Sequence, residues 1–257
     1  MNPFRRSLLL SLPIILFTIV AQSPNVVAQD RVIVQPRRIV VIRTGKEVRD
    51  FPERRRAIVR YPIVRGLSDA VVLRRIQNTL TMKSVFDQTL EEFRRDSGSL
   101  NFDYEVNYNK NYLLDITFTS EYEGAYLSMG RKHLLINLKN GKVVKAVDAF
   151  NPNSLKTLVG MVDKKLKEEV TEQIQVVEDD KSSDAESKTW VRDELKKLQI
   201  GVKNLDEFSV SDKGVTFKFE AAFPHAIQAL EPDGKYFFTY AELHPYIKRN
   251  GPLGVFN

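Results

Sequence analysis

The sequence predicts an α+β protein, an antiparallel sheet meander with helices packed on one face, arranged as two sequential α+β halves. Three observations predict it. From Phe102 to Tyr108 and again from Tyr112 to Phe118, apolar side chains fall on every second residue (Phe102, Tyr104, Val106, Tyr108; Tyr112, Leu114, Ile116, Phe118), with polar residues between them. That period of two describes strands with one wet face. From Leu155 to Ile174 the spacing changes: Leu155, Leu158, Val159, Val162, Leu166, Val170 and Ile174 line one stripe of a helix about five turns long. Finally, the order of a helix followed by strands rich in Phe and Tyr occurs twice, without a fixed-period repeat.

The chain opens on a segment unlike the rest. Arg5 and Arg6 precede an uncharged apolar run from Leu8 to Val20, and Val26, Val27 and Ala28 supply short side chains after it. This pattern predicts a signal peptide over residues 1–28, cleaved after Ala28, and a secreted or periplasmic protein. The alternative is an uncleaved N-terminal membrane anchor, although a run of about 13 apolar residues is short against the ~20 that span a bilayer. There is no cysteine. A lipoprotein signal, a disulfide, a thiol nucleophile and a cysteine-bound metal are thereby excluded.

Residues 29–53 read as a basic N-terminal arm or short edge strand. Eleven basic side chains against four acids fall between Asp30 and Arg65, including the run Arg54, Arg55 and Arg56, and the remainder of the chain is slightly acidic. Without the leader the chain carries 37 basic and 33 acidic side chains. A basic segment on an exported protein suits anionic wall polymer, a lipid surface or an acidic protein patch, or else it is a solvated strand face; nucleic acid is not expected as a partner.

The first half runs over residues 54–150. Ile58, Val59, Tyr61, Ile63 and Val64 mark a strand that Pro62 places at an edge or bulge, and Gly66 ends it. Ser68 or Asp69 caps a helix carrying Leu73, Ile76 and Leu80, which continues through Phe86, Leu90 and Phe93 with a break near Thr81. The meander follows, with Asn109 to Asn111 and Asn140-Gly141 as hairpin turns and Val143, Val144 and Val147 as the returning strand. Gly124 and Gly130 are the expected bulge or bend positions.

The second half, residues 151–257, starts with a turn at Pro152 and the long helix. The polar loop Glu178 to Glu186 reads as solvated; as a calcium loop it lacks the glycine and the alternating oxygen ligands that the ion requires. Trp190, Val191, Leu195 and Leu198 predict a shorter helix, Phe208 to Phe219 a hairpin, Lys235 to Tyr240 a strand, and Ala241 to Ile247 a terminal helix.

No reaction is spelled out by motif. There is no Gly-x-Ser-x-Gly, no cluster of glycines to cradle phosphate, and His133, His225 and His244 are widely separated. No catalytic residue, metal ligand or cofactor is expected. Asp103 and Glu105 share the wet face of one strand and are the nearest approach to a carboxylate pair.

Three phrases carry a resemblance. Arg60 to Leu80 ("RYPIVRGLSDAVVLRRIQNTL"), Glu123 to Phe150 ("EGAYLSMGRKHLLINLKNGKVVKAVDAF") and Phe223 to Ile247 ("FPHAIQALEPDGKYFFTYAELHPYI") resemble, in order, phrases of the extracellular domain shared by RsiV-type anti-sigma factors and PdaC-type peptidoglycan deacetylases. Tyr126 stands where that family usually has histidine, and Ala149 where it has leucine. The resemblance implies a non-enzymatic, exported α+β domain. In RsiV-type proteins this domain binds lysozyme, and in PdaC-type proteins it precedes a separate deacetylase domain. The expected function is therefore an exported non-catalytic binding domain of the bacterial cell envelope, recognising a cell-wall glycan or a wall-acting protein such as lysozyme. The alternative is a peptidoglycan-modifying hydrolase or accessory subunit using surface carboxylates. Arg54, Arg55, Arg56 and Tyr126 are the candidate binding residues.

Overall fold

The computed structural model describes residues 30–182 and 184–256. The predicted leader lies outside the described residues. No helix among them is long and apolar enough to cross a membrane.

Six strands form the larger sheet in sequence order: β1 (Ile33–Ile42), β2 (Arg56–Arg65), β3 (Ser99–Lys110), β4 (Leu113–Glu123), β5 (Leu127–Asn137) and β6 (Lys142–Val143). Residues 33–42 of the basic segment are thus a full edge strand, paired antiparallel with β2 over its whole length. Only β2 and β3 run parallel. A parallel neighbour requires a crossover, and three short helices supply it: α2 (Ala70–Thr79), α3 (Met82–Phe86) and α4 (Leu90–Arg95). α1 (Lys46–Asp50) precedes them between β1 and β2. The expected single break near Thr81 is there, and a second follows at Asp87, which has a left-handed φ of 54°. Asp69, Thr81 and Thr89 cap the three helices with side-chain oxygens.

The helices cover one face of this sheet. Ile76, Leu80, Val85 and Phe93 bury themselves against Phe102, Leu114, Ile116, Phe118 and Ile136. The opposite, wet face carries Asp103, Glu105, Thr117, Thr119, Arg131 and His133.

Period-two reading put Tyr108 on the dry face with Phe102, and the structure moves it. Val106 pairs with Ile116 but Tyr108 pairs with Asp115, so Asn107 is an extra residue and the strand reverses its faces there. Tyr108 enters a second core instead. The other irregularity lies at Leu100; Gly130 pairs regularly with Ser120, and Gly124 sits in the turn between β4 and β5. Gly141 does what the Asn-Gly signal predicts, turning at φ 70°. Val147 is not in a returning strand: β6 is two residues long and α5 (Ala146–Ala149) follows it.

The second half contributes α6 (Leu155–Asp179), α7 (Ala185–Lys197), a three-stranded antiparallel sheet of β7 (Phe208–Val210), β8 (Gly214–Lys218) and β9 (Lys235–Thr239), and α8 (Tyr240–Leu243). α8 is shorter than the expected terminal helix. Trp190 leaves the predicted stripe and is exposed, while Val191 and Leu195 are buried. The core here is shared by both halves: Tyr108, Leu113, Leu135, Val144 and Phe150 pack with Leu158, Leu166, Phe208, Phe217 and Leu253.

Candidate functional site

The wet face of β3–β5 is covered at one end only. There β7 crosses it, and a buried polar cluster makes the junction. Asp115, fully buried, accepts a hydrogen bond from the Val210 amide at 2.8 Å and from Asn107 Nδ2 at 2.6 Å. His133, 7% exposed, lies with its Nε2 2.7 Å from the Phe208 carbonyl. A carbonyl only accepts, so Nε2 carries the proton and Nδ1 the lone pair. Lys218 Nζ donates to that lone pair at 2.9 Å.

Burial sets the titration of all three. It pushes the Asp115 carboxyl up to about 6, against the pull of Asn107, the Val210 amide and Lys218. It pushes His133 down to about 3, and the Lys218 charge pushes the same way. Lys218 itself is lowered by burial, with Asp115 opposing and Arg131 adding to the effect. His133 Nε2 is 3.5 Å from Asp115 Oδ1, but its proton is directed at Phe208, and its other nitrogen is occupied by Lys218. An acid–base pair needs a nitrogen free to exchange protons with a substrate. This histidine is a fastener between layers, and Lys218 is the end of the cluster that reaches solvent.

Beyond β7 the wet face stays open. A cleft of about 480 Å³ runs between it and the β8–β9 edge, with Asp103, Glu105, Thr119, Arg131, Lys218 and Lys235 among its lining groups and Tyr104 and Phe219 beside them. Gly234 permits the close approach of its far wall: φ is 64°, and a Cβ there would meet the Phe219 carbonyl oxygen at 1.9 Å. Asp103 is paired with Arg60 at 2.9 Å, and Asp233 with Lys235 at 2.6 Å. A larger groove of about 630 Å³ lies between α2 and β5–β6, lined by Val71, Leu134, Val143, Arg74 and Arg75, without a comparable convergence of polar groups.

The sequence-predicted residues fall elsewhere. Arg54 packs at the tip of the β4–β5 hairpin, over the Phe51 ring at 4.3 Å, 3.5 Å from Glu123 and within 3.4 Å of the Gly124 carbonyl. Tyr126 is at the same tip, 66% exposed. Arg55 and Arg56 are exposed at the start of β2. The structure therefore brings Arg54 and Tyr126 to one end of the sheet, outside the cleft. Arg43, one of the eleven basic side chains between Asp30 and Arg65, is 6% exposed. It donates to the carbonyls of Phe93 (2.7 Å), Ser99 (2.6 Å), Arg54 (3.1 Å) and Arg94 (3.3 Å). Asp103 and Glu105 do line the cleft, as their shared wet face predicts. The side chain of His225 lies outside the described residues. No group of three or more His, Asp or Glu side chains gathers as a metal site among the described residues. In the polar loop, Asp180 is engaged with Ser182 and Asp184 caps α7 through Ser187.

Sequence reasoning missed Asp115, Arg131 and Lys218. An acid inside Leu113-Leu114-Asp115-Ile116 was the available signal, because a carboxylate inside so apolar a run has to find donors.

No protein-family model matches the sequence, and no curated protein matches it. Solved structures do. The chain is similar to a DUF3298 family protein from Pseudomonas aeruginosa PAO1, at 13% identity and a TM-score of 0.53, over 85% of this chain and 94% of that one. It is similar also to a member of the same family from Bacteroides fragilis NCTC 9343, at 14% identity and a TM-score of 0.57, over 89% of this chain and 99% of that one. The likeness is one of fold.

Proposed function

We propose that this is an exported, non-catalytic binding domain of the bacterial cell envelope that recognises a cell-wall glycan. The observation that carries the reading is the open cleft on the wet face of β3–β5, where hydrogen-bonding and charged groups of both signs, Asp103, Glu105, Thr119, Arg131 and Lys218 among them, converge. Sugar hydroxyls and amides are held by such convergent polar side chains. The leader-like residues 1–28 and the resemblance to the RsiV-type and PdaC-type extracellular domain support export and the envelope setting. The arrangement of His133 also favours binding, since its two nitrogens are committed to Phe208 and Lys218.

Incubation of the secreted chain with insoluble peptidoglycan, and separately with immobilised lysozyme, tests the reading. Retention on peptidoglycan without soluble products is the expected result. Retention on lysozyme alone would transfer recognition to a wall-acting protein. Released muropeptides or acetate would replace binding with the hydrolase alternative, and Asp103 and Glu105 would then be the first carboxylates to substitute.

A further inference from the structure

The cleft holds two cations that have no salt bridge among the described residues; Asp115 and Glu207 act on Lys218 from beyond ion-pair distance. Arg131 makes no ion pair or side-chain hydrogen bond among the described residues, and the one side-chain hydrogen bond of Lys218 goes to the neutral His133. They are neighbours: Arg131 stands two residues from His133 on the wet face of β5, and Lys218 bonds His133 at 2.9 Å. Three nearby cations are paired: Arg60 with Asp103, Lys235 with Asp233, and Lys132 with Glu207 at 3.5 Å. Two like charges held side by side repel, and a half-buried lysine loses hydration as well. A bound anion relieves both costs, and a guanidinium and an ammonium both donate charge-assisted hydrogen bonds to a carboxylate.

From this geometry we infer that Arg131 and Lys218 form the seat for a single carboxylate on the ligand. Glu105 and Glu220 also line the cleft. Their charges disfavour a polyanion such as a phosphate polymer, so the ligand class is a monocarboxylate rich in hydroxyl or amide groups. Asn107 and Thr117 line the same cleft and are bonded to each other at 2.9 Å. The identification of the wall as the source of this carboxylate rests on the binding reading above; the anion seat itself does not.

In the wall such a carboxylate comes from the lactyl ether of a sugar or from the end of a peptide, and two pairs of probes separate these sources. N-acetylmuramic acid and N-acetyl-alanyl-alanine are each titrated beside their own methyl esters, with amide shifts of the secreted chain as the readout. One acid is expected to bind roughly tenfold or more tightly than its ester, the loss typical of a charge-assisted hydrogen bond, with shifts centred on β5 and β8. Arg131→Gln, at an exposed position, is expected to abolish that difference while the rest of the spectrum stays unchanged. Lys218→Gln should weaken the acid similarly. Equal binding of acid and ester, or an Arg131→Gln chain that still prefers the acid, overturns the inference. If the chain is retained on peptidoglycan yet shows no preference for acids, the seat falls and the glycan reading stands. If acids bind but peptidoglycan does not retain the chain, the reverse holds.

Discussion

Arg43 and Lys218 are both cations drawn in between layers of the fold, and their surroundings differ in one respect. Arg43 meets four backbone carbonyls from three segments, and its guanidinium lies 5.3 Å from the Phe93 ring. Four of its five N–H donors are engaged. Lys218 meets one imidazole nitrogen and faces a cleft. A buried charge held by four carbonyls fixes structure, whereas a charge with most of its donors unused at the edge of solvent is available to a ligand. The comparison makes quantitative predictions.

Arg43→Met should cost most, on the order of 3–5 kcal/mol, because it strands carbonyls where α4 meets β3. Urea unfolding measures it, and a loss under about 1 kcal/mol would mean that the junction is held by packing alone. Asp115→Ala comes next, at roughly 3 kcal/mol, since the Val210 amide and Asn107 lose their acceptor and Lys218 loses its compensating anion.

The third prediction concerns pH. His133 titrates at about 3 in the folded chain against 6.5 when free, so it withdraws stability as pH falls from about 6.5. Asp115, at about 6 against 3.8, takes up its proton first in the folded state and returns part of that stability between about 6 and 4. His133→Gln should therefore lose less stability than the parent between pH 7 and pH 4, by on the order of 2–3 kcal/mol. Parallel curves for the two chains would show that His133 is protonated early and that its burial is relieved. The smallest effect belongs to Arg131→Gln, within about 0.5 kcal/mol of the parent in thermal unfolding. A large destabilisation there would sink the contrast, because it would make Arg131 a structural residue like Arg43.

Local pattern carried the meander, the Asn140-Gly141 turn and α6, where periodicity and turn chemistry act over neighbouring residues. It failed where one residue changed the phase. Asn107 is polar and falls in a polar position of the alternation, so nothing in the sequence distinguishes it from a regular strand residue, yet it sends Tyr108 to the other face. It failed also where distant segments meet. Asp115 and His133 lie on the wet face, but their burial depends on β7, about 75 to 95 residues away in sequence. Arg43 looked like one more solvated charge because its acceptors are carbonyls, which composition does not reveal. The cleft was legible only as Asp103 and Glu105 on one face; its opposite wall belongs to β8 and β9.

The reversal at Asn107 governs the order of assembly as well as the architecture. Tyr108 is delivered to a core whose other members include Leu253, and its ring lies 6.3 Å from that of Phe256, which in turn stacks on Tyr240 at 4.2 Å. A chain emerging N-terminus first carries this tyrosine, with Leu113 and Leu135, as an unfinished apolar surface until the final residues arrive. Closure of the first sheet thus waits on the tail, and a nascent chain halted near residue 150 would hold a ribbon with one face still seeking its lining.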